Sequence, residues 1–102
     1  MLNLVVLHGR MTDDPTFDVV GEKELTKFTI AVDDSYRKDY AHFIDVEAWG
    51  KVAEVIANNF NKGKEILIHG QLDHQRWEKD GQKRSRIKVK LNSFDFCGKK
   101  DE

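Results

Sequence analysis

A single cysteine, a single proline and no long apolar run limit what this 102-residue chain can be. Cys97 has no second thiol to pair with, which excludes an internal disulfide scaffold and a cysteine-based zinc site. Pro15 stands alone among seven scattered glycines, so no linker is visible and the length reads as one domain. No apolar stretch approaches the roughly 20 residues that cross a bilayer, and no basic segment precedes an apolar one at the N-terminus. Neither a membrane span nor a signal peptide is expected, and the expected setting is reducing and cytoplasmic. Net charge is also nearly absent. Seventeen basic against eighteen acidic side chains leave −1, which argues against a uniformly basic surface. The remaining composition, 39% hydrophobic and 34% charged, is polar but foldable.

Catalytic chemistry is equally scarce. His8, His42, His69 and His74 have no metal-ligand spacing, and His69 and His74, five apart on an expected strand, face opposite ways. Asp13-Asp14 precedes Pro15 and reads as turn chemistry. No glycine-rich loop of the phosphate-cradling kind occurs. We therefore expect no enzyme activity, no metal and no cofactor.

Alternation, by contrast, is abundant. Residues 2–9 are apolar and β-branched enough for a strand buried on both faces, and residues 12–15 break the run. A short strand at 17–20 stops at Gly21. Thr26, Phe28, Ile30 and Val32 then share one face of a strand over 26–32. Over 43–49, Ile44, Val46 and Ala48 make a small apolar face opposite Phe43, Asp45, Glu47 and Trp49. The period changes at residues 51–60, where Val52, Ile56 and Phe60 recur every fourth position as a helix stripe closed by Asn61-Lys62-Gly63. Two long strands follow, 66–77 and 83–94, joined by Asp80-Gly81, a strong hairpin signal. This order fits an all-β, five-stranded Greek-key barrel of the OB type. One helix lies between its third and fourth long strands, and a long hairpin spans 66–94. Other α+β arrangements share the element order.

A two-residue turn at 80–81 sets the hairpin register, pairing Trp77 with Arg84, Gln75 with Arg86, Asp73 with Lys88 and Gln71 with Lys90. One face then carries Ile66, Ile68, Leu72, Ile87, Val89 and Leu91 as a core face. The other carries Trp77 beside Arg84, Arg86, Lys88 and Lys90, the pattern of a phosphate track with an indole beside it. A register slip by one residue would bury those four cations. The charge distribution agrees. Residues 1–61 hold 6 basic and 11 acidic side chains, and residues 62–102 hold 11 and 7, so near-neutrality hides a polarised chain. If the small aliphatic face of 43–49 is core, Phe43 and Trp49 point outward, and Tyr36 and Tyr40 stand in a polar loop.

Taken in order, several segments resemble the bacterial single-stranded DNA-binding protein family. They are Gly9-Arg10-Met11-Thr12 with Asp14-Pro15, Phe28-Thr29-Ile30-Ala31-Val32, and Trp49-Gly50-Lys51 with Ala53-Glu54. Asn61-Lys62-Gly63, Ile68-His69-Gly70-Gln71-Leu72, and Arg76-Trp77 before Asp80-Gly81-Gln82 complete the set. The resemblance covers residues 1 to about 96. It implies an OB-fold domain over 1–97 that binds and protects single-stranded DNA without sequence preference in replication, recombination or repair. By position it implies base stacking by Tyr36, Phe43, Trp49 and Trp77, and phosphate contacts from Lys51, Lys62, Arg76, Arg84 and Arg86, beside Lys88 and Lys90 on the hairpin. It also implies self-association, usually as a homotetramer, with a dimer as the other arrangement. Leu2, Leu4 and Val6 alternate with Asn3, Val5 and Leu7, so one face of the first strand can enter the barrel while the other meets a second copy. Alternatively, one barrel buries both faces. The family's acidic-tipped tail that recruits enzymes has no counterpart in the short charged end at 98–102: either a tail has been removed or the chain is a short form, and tail-mediated recruitment is not expected of this sequence. The competing reading is an OB-fold interaction module of the primosome-accessory kind.

Overall fold

In the computed structural model, residues 1–97 are described; the short charged end expected at 98–102 lies outside them. Six strands and one helix follow in chain order: β1 Val5–Met11, β2 Thr16–Val20, β3 Lys23–Asp33, β4 Ala41–Trp49, α1 Lys51–Asn59, β5 Glu65–Lys79 and β6 Gln82–Phe96. Five of the strands close a ring. β3 pairs with β1 and β4, β5 with β1 and β6, and a short parallel pairing of β4 with β6 completes the circuit. β2, paired only with β3, is a sixth strand lying outside the ring. The helix falls between the third and fourth ring strands, as the element order leads one to expect for an OB barrel.

The interior follows from alternation. On β3 and β4, Thr26 faces Ala48, Phe28 faces Val46 and Ile30 faces Ile44, all directed inward. Ile66 and Ile68 of β5 and Val89 and Leu91 of β6 meet them, and α1 closes one end with Ala53 and Ile56. The Thr26 hydroxyl, fully enclosed, donates to the Ala53 carbonyl at 2.6 Å, so this polar group beneath the helix is satisfied.

Two expectations change. The first strand begins at Val5, not Leu2, and is not buried on both faces. Val5 and Leu7 pack on the core, while Leu2 and Leu4 before β1 and Val6 on its outer face are exposed, none of the described residues covering them. The expected core face of the hairpin also divides. Ile66, Ile68, Val89 and Leu91 are buried, but Leu72 and Ile87 are exposed. β5 and β6 have 15 residues each, about 50 Å of strand at roughly 3.3 Å per residue. β4 flanks β6 only at Val89 and Lys90, so the distal half of the hairpin projects as a free arm.

The arm's register is the one its turn dictates, with Trp77 opposite Arg84 and Gly70 opposite Leu91. Asp80 and Gly81 both have positive φ, 53° and 76°, as a hairpin turn matched to strand twist requires. The ladder shifts between His69 and Gly70. A side chain at Gly70 would collide with the backbone of Lys90 and come within 2.7 Å of the Val89 methyl, so only glycine lets the two strands approach there.

Candidate nucleic-acid interface

The outward residues of β4 form the centre of the surface. Phe43, Asp45, Glu47 and Trp49 alternate with the buried Val46 and Ala48, which places two rings at the ends of the row and two carboxylates between them. The Phe43 ring is 70% exposed, and Trp49 is half-buried opposite Leu25. Carboxylates repel a polyanion; the charge of Glu47 is offset by an ion pair, whereas Asp45 is exposed and only hydrogen-bonded. Asp45 accepts a hydrogen bond from the Thr29 hydroxyl at 2.8 Å. Glu47 forms an ion pair with the Lys88 ammonium, their side chains only 10% and 11% exposed, and Lys27 lies directly across from Glu47 on β3.

This pairing corrects one reading of the arm. Lys88, expected as a free phosphate contact, is turned into the sheet and held by Glu47. Burial, with Lys27 nearby, pushes its ammonium below the usual lysine range, and Asp45 opposes the shift. The ion pair forms a ridge between two open clefts. One, of about 330 Å³, is lined by Thr12, Lys27, Thr29, Asp45 and Arg86. The other, of about 490 Å³, is lined by Lys23, Trp49, Gln75 and Lys90. Arg86 and Lys90 therefore border the same face as the β4 rings.

Farther along the arm, Trp77 and Arg84 face each other across the ladder with Gln75 and Arg86 beside them, and the indole is 44% exposed. Arg76 pairs with Ser85, so it stands on the opposite face with His74 and Ile87. It was expected among the phosphate contacts, and the register turns it away from the face that carries Trp77. Lys51 is exposed at the start of α1, two residues beyond Trp49. Lys62 is exposed after the helix, and its backbone N–H donates to Asp14 at 2.9 Å, which ties it to the turn bordering the first cleft.

Tyr36 lies in the loop joining β3 to β4, 97% exposed, with both ring faces bare. Tyr40 in the same loop is partly covered: the Arg37 guanidinium sits 3.6 Å above its ring and His42 meets its edge, leaving it 46% exposed. Sequence reasoning missed this loop's organisation and the Glu47–Lys88 pair. Alternation had put Glu47 outward, but nothing local pairs it with a residue on a distant strand.

Fold and surface together define an OB-type barrel that carries an open, ring-bearing face. Residues 2–97 match the single-strand binding protein family, and the chain belongs to it. It is 36% identical over 96 residues to a single-stranded DNA-binding protein of Aquifex aeolicus, covering 87% of this chain and 65% of that relative. Proteins of the same description from Clostridium perfringens and Fusobacterium nucleatum are 38% and 39% identical, each over 93% of this chain. The chain spans about two thirds of the length of these curated relatives, 65% and 66% for the latter two.

Proposed function

We propose that this chain binds single-stranded DNA without sequence preference and shields it during replication, recombination and repair. One observation carries the reading. The Phe43 ring stands open on a face where Lys88 offsets the charge of Glu47, bordered by an arm that offers Trp77, Arg84 and Arg86. Bases of a flexible strand stack on Tyr36, Phe43, Trp49 and Trp77, each stack contributing roughly 1–3 kcal/mol whatever the base. Arg84, Arg86, Lys90, Lys51 and Lys62 meet the phosphates. A duplex keeps its bases stacked on one another and cannot use the rings. The chain acts as a binding module without catalytic chemistry, and a reducing cytoplasm suits its lone cysteine. Among the described residues no helix is long and apolar enough to cross a membrane.

Titrating the protein with an unstructured oligonucleotide tests this directly. Tryptophan emission is expected to be quenched, and log affinity to fall with log salt at about −0.7 per phosphate contacted. Equal affinity for duplex and single strand at moderate salt contradicts the reading.

Self-association through Leu2, Leu4 and Val6 is part of the same proposal, as a homotetramer or a dimer. The exposure of Leu2, Leu4 and Val6, in the segment leading into β1 and on its outer face, supports it. Light scattering should find a multiple of the 11.8 kDa chain, and Leu4→Glu with Val6→Glu should release single chains. A wild-type particle of single-chain mass at micromolar concentration refutes it.

A further inference from the structure

Asp34 opens the loop between β3 and β4, and its carboxylate is only 13% exposed although the loop itself is on the surface. Both of its oxygens are fully used. Oδ2 accepts the backbone N–H groups of Tyr36 at 3.0 Å and Arg37 at 2.7 Å. Oδ1 accepts from His42 Nε2 at 2.8 Å and from the Arg37 guanidinium at 3.3 Å. The Asp34 backbone N–H donates to the Tyr40 carbonyl at 2.9 Å, closing the loop at its far end. Arg37, fixed by Asp34, lies over Tyr40, and His42 packs edge-on to the same ring. A carboxylate has about four acceptor sites, and here all four are taken by one short segment.

The two tyrosines are thereby given different surroundings. Tyr40, itself 46% exposed, has Arg37 over one ring face and His42 at its edge, whereas Tyr36, whose own N–H is bound to Asp34, projects 97% exposed with no ring or cation of the described residues over it. Without the carboxylate, two backbone donors, a guanidinium and an imidazole lose their shared anchor, and an exposed loop has little apolar contact to replace it. Holding a stacking ring in place before the ligand arrives removes an ordering cost from the binding step.

We infer that Asp34 is a positioning residue for strand binding: it acts through Tyr36, presenting that ring to a base, and it occupies Arg37 so that this cation is not a phosphate contact. The inference rests on the reading of Tyr36 as a base-stacking residue. Asp34 itself touches no base.

The experiment measures oligonucleotide affinity for the full chain and for Asp34→Ala, Asp34→Asn, Tyr36→Ala and the double variant Asp34→Ala/Tyr36→Ala, with melting temperatures as the folding control. Tyr36→Ala should weaken binding roughly tenfold, the loss of one stack. Asp34→Ala should lose most of that factor, and the double variant should bind no more weakly than Tyr36→Ala alone, because the carboxylate has no ring left to position. Asp34→Asn should lose only about two- to threefold, since an amide oxygen still accepts the Tyr36 and Arg37 N–H groups. A merely structural role for Asp34 would not vanish in the Tyr36→Ala background. Wild-type affinity in Asp34→Ala beside a weakened Tyr36→Ala overturns the inference and leaves the stacking reading intact. An equal loss from Asp34→Ala with and without Tyr36 also overturns it. If Tyr36→Ala binds like wild type, the stacking role of Tyr36 fails first and the inference with it.

Discussion

The outer face of β4 and the distal arm of β5 and β6 are built from the same two-residue alternation, yet they differ in every other respect. β4 lies within the closed ring, flanked by β3 and β6, and its outward charges have partners: Asp45 with Thr29, Glu47 with Lys88. The arm leaves the ring beyond Val89, and its cations Arg84 and Arg86 project from a two-stranded ribbon wet on both sides. A charge beside a barrel wall is drawn into pairs that rigidify the platform, whereas a charge on a free ribbon stays available for a ligand. In the proposed function the first region presents rings to bases and the second presents cations to phosphates, with Trp77 as the arm's own ring.

The largest expected effect separates the regions by stability. Glu47→Ala leaves Lys88 enclosed without its counter-charge and should cost about 3–5 kcal/mol in urea unfolding. Arg84→Ala should leave unfolding within about 0.5 kcal/mol of wild type, as surface changes do. Comparable losses from the two would erase the contrast. Next in size, Phe43→Ala should lower oligonucleotide affinity by roughly 1–3 kcal/mol with almost no change in unfolding, because its ring is open in the free protein. A smaller effect tests the two faces of the arm. Arg84→Ala should reduce the salt slope by about 0.7, and Arg76→Ala, on the opposite face, by clearly less. Equal reductions would mean that the strand wraps the arm on both sides.

The smallest effect concerns pH. The Arg37 backbone N–H, the His42 ring, the Arg37 guanidinium and the Tyr36 N–H hold the Asp34 carboxyl well below the usual carboxylate range. A depressed value means that this group's contribution to loop order is fully present above the ordinary unfolded value of about 4 and is lost only as pH falls through the lower folded one. The Tyr36 and Arg37 amide resonances should therefore keep their native positions from pH 7 to about 5. Their collapse within that window would show that the carboxyl is not so held.

Much of this layout was legible in the residues. Asp80-Gly81 sets the arm's pairing as far as Gly70 and Leu91, because a two-residue turn leaves a period-2 ladder a single register. The same alternation puts Phe43 outside and Val46 inside. What alternation cannot say is where a barrel ends. It assigns Leu72 and Ile87 to the inward face correctly, but their burial depends on how far the flanking strands reach. The Glu47–Lys88 pair escapes for a related reason: it follows from the parallel closure of β4 on β6, a long-range event without a local signature. Apolar residues on both faces of β1 mark something to be covered without saying whether this chain or another copy does so. The Asp34 cluster depends on backbone directions inside a polar segment whose composition indicates only a loop.

The division of labour between platform and arm is tested most directly by the salt dependence of oligonucleotide affinity in two variants, Phe43→Ala and Arg84→Ala/Arg86→Ala. The ring variant should give a line parallel to wild type, displaced by roughly tenfold in affinity. The arginine variant should give a line shallower by about 1.4 in log–log slope, two phosphates at about 0.7 each. A change of slope in the Phe43 variant, or an unchanged slope in the arginine variant, would contradict the account.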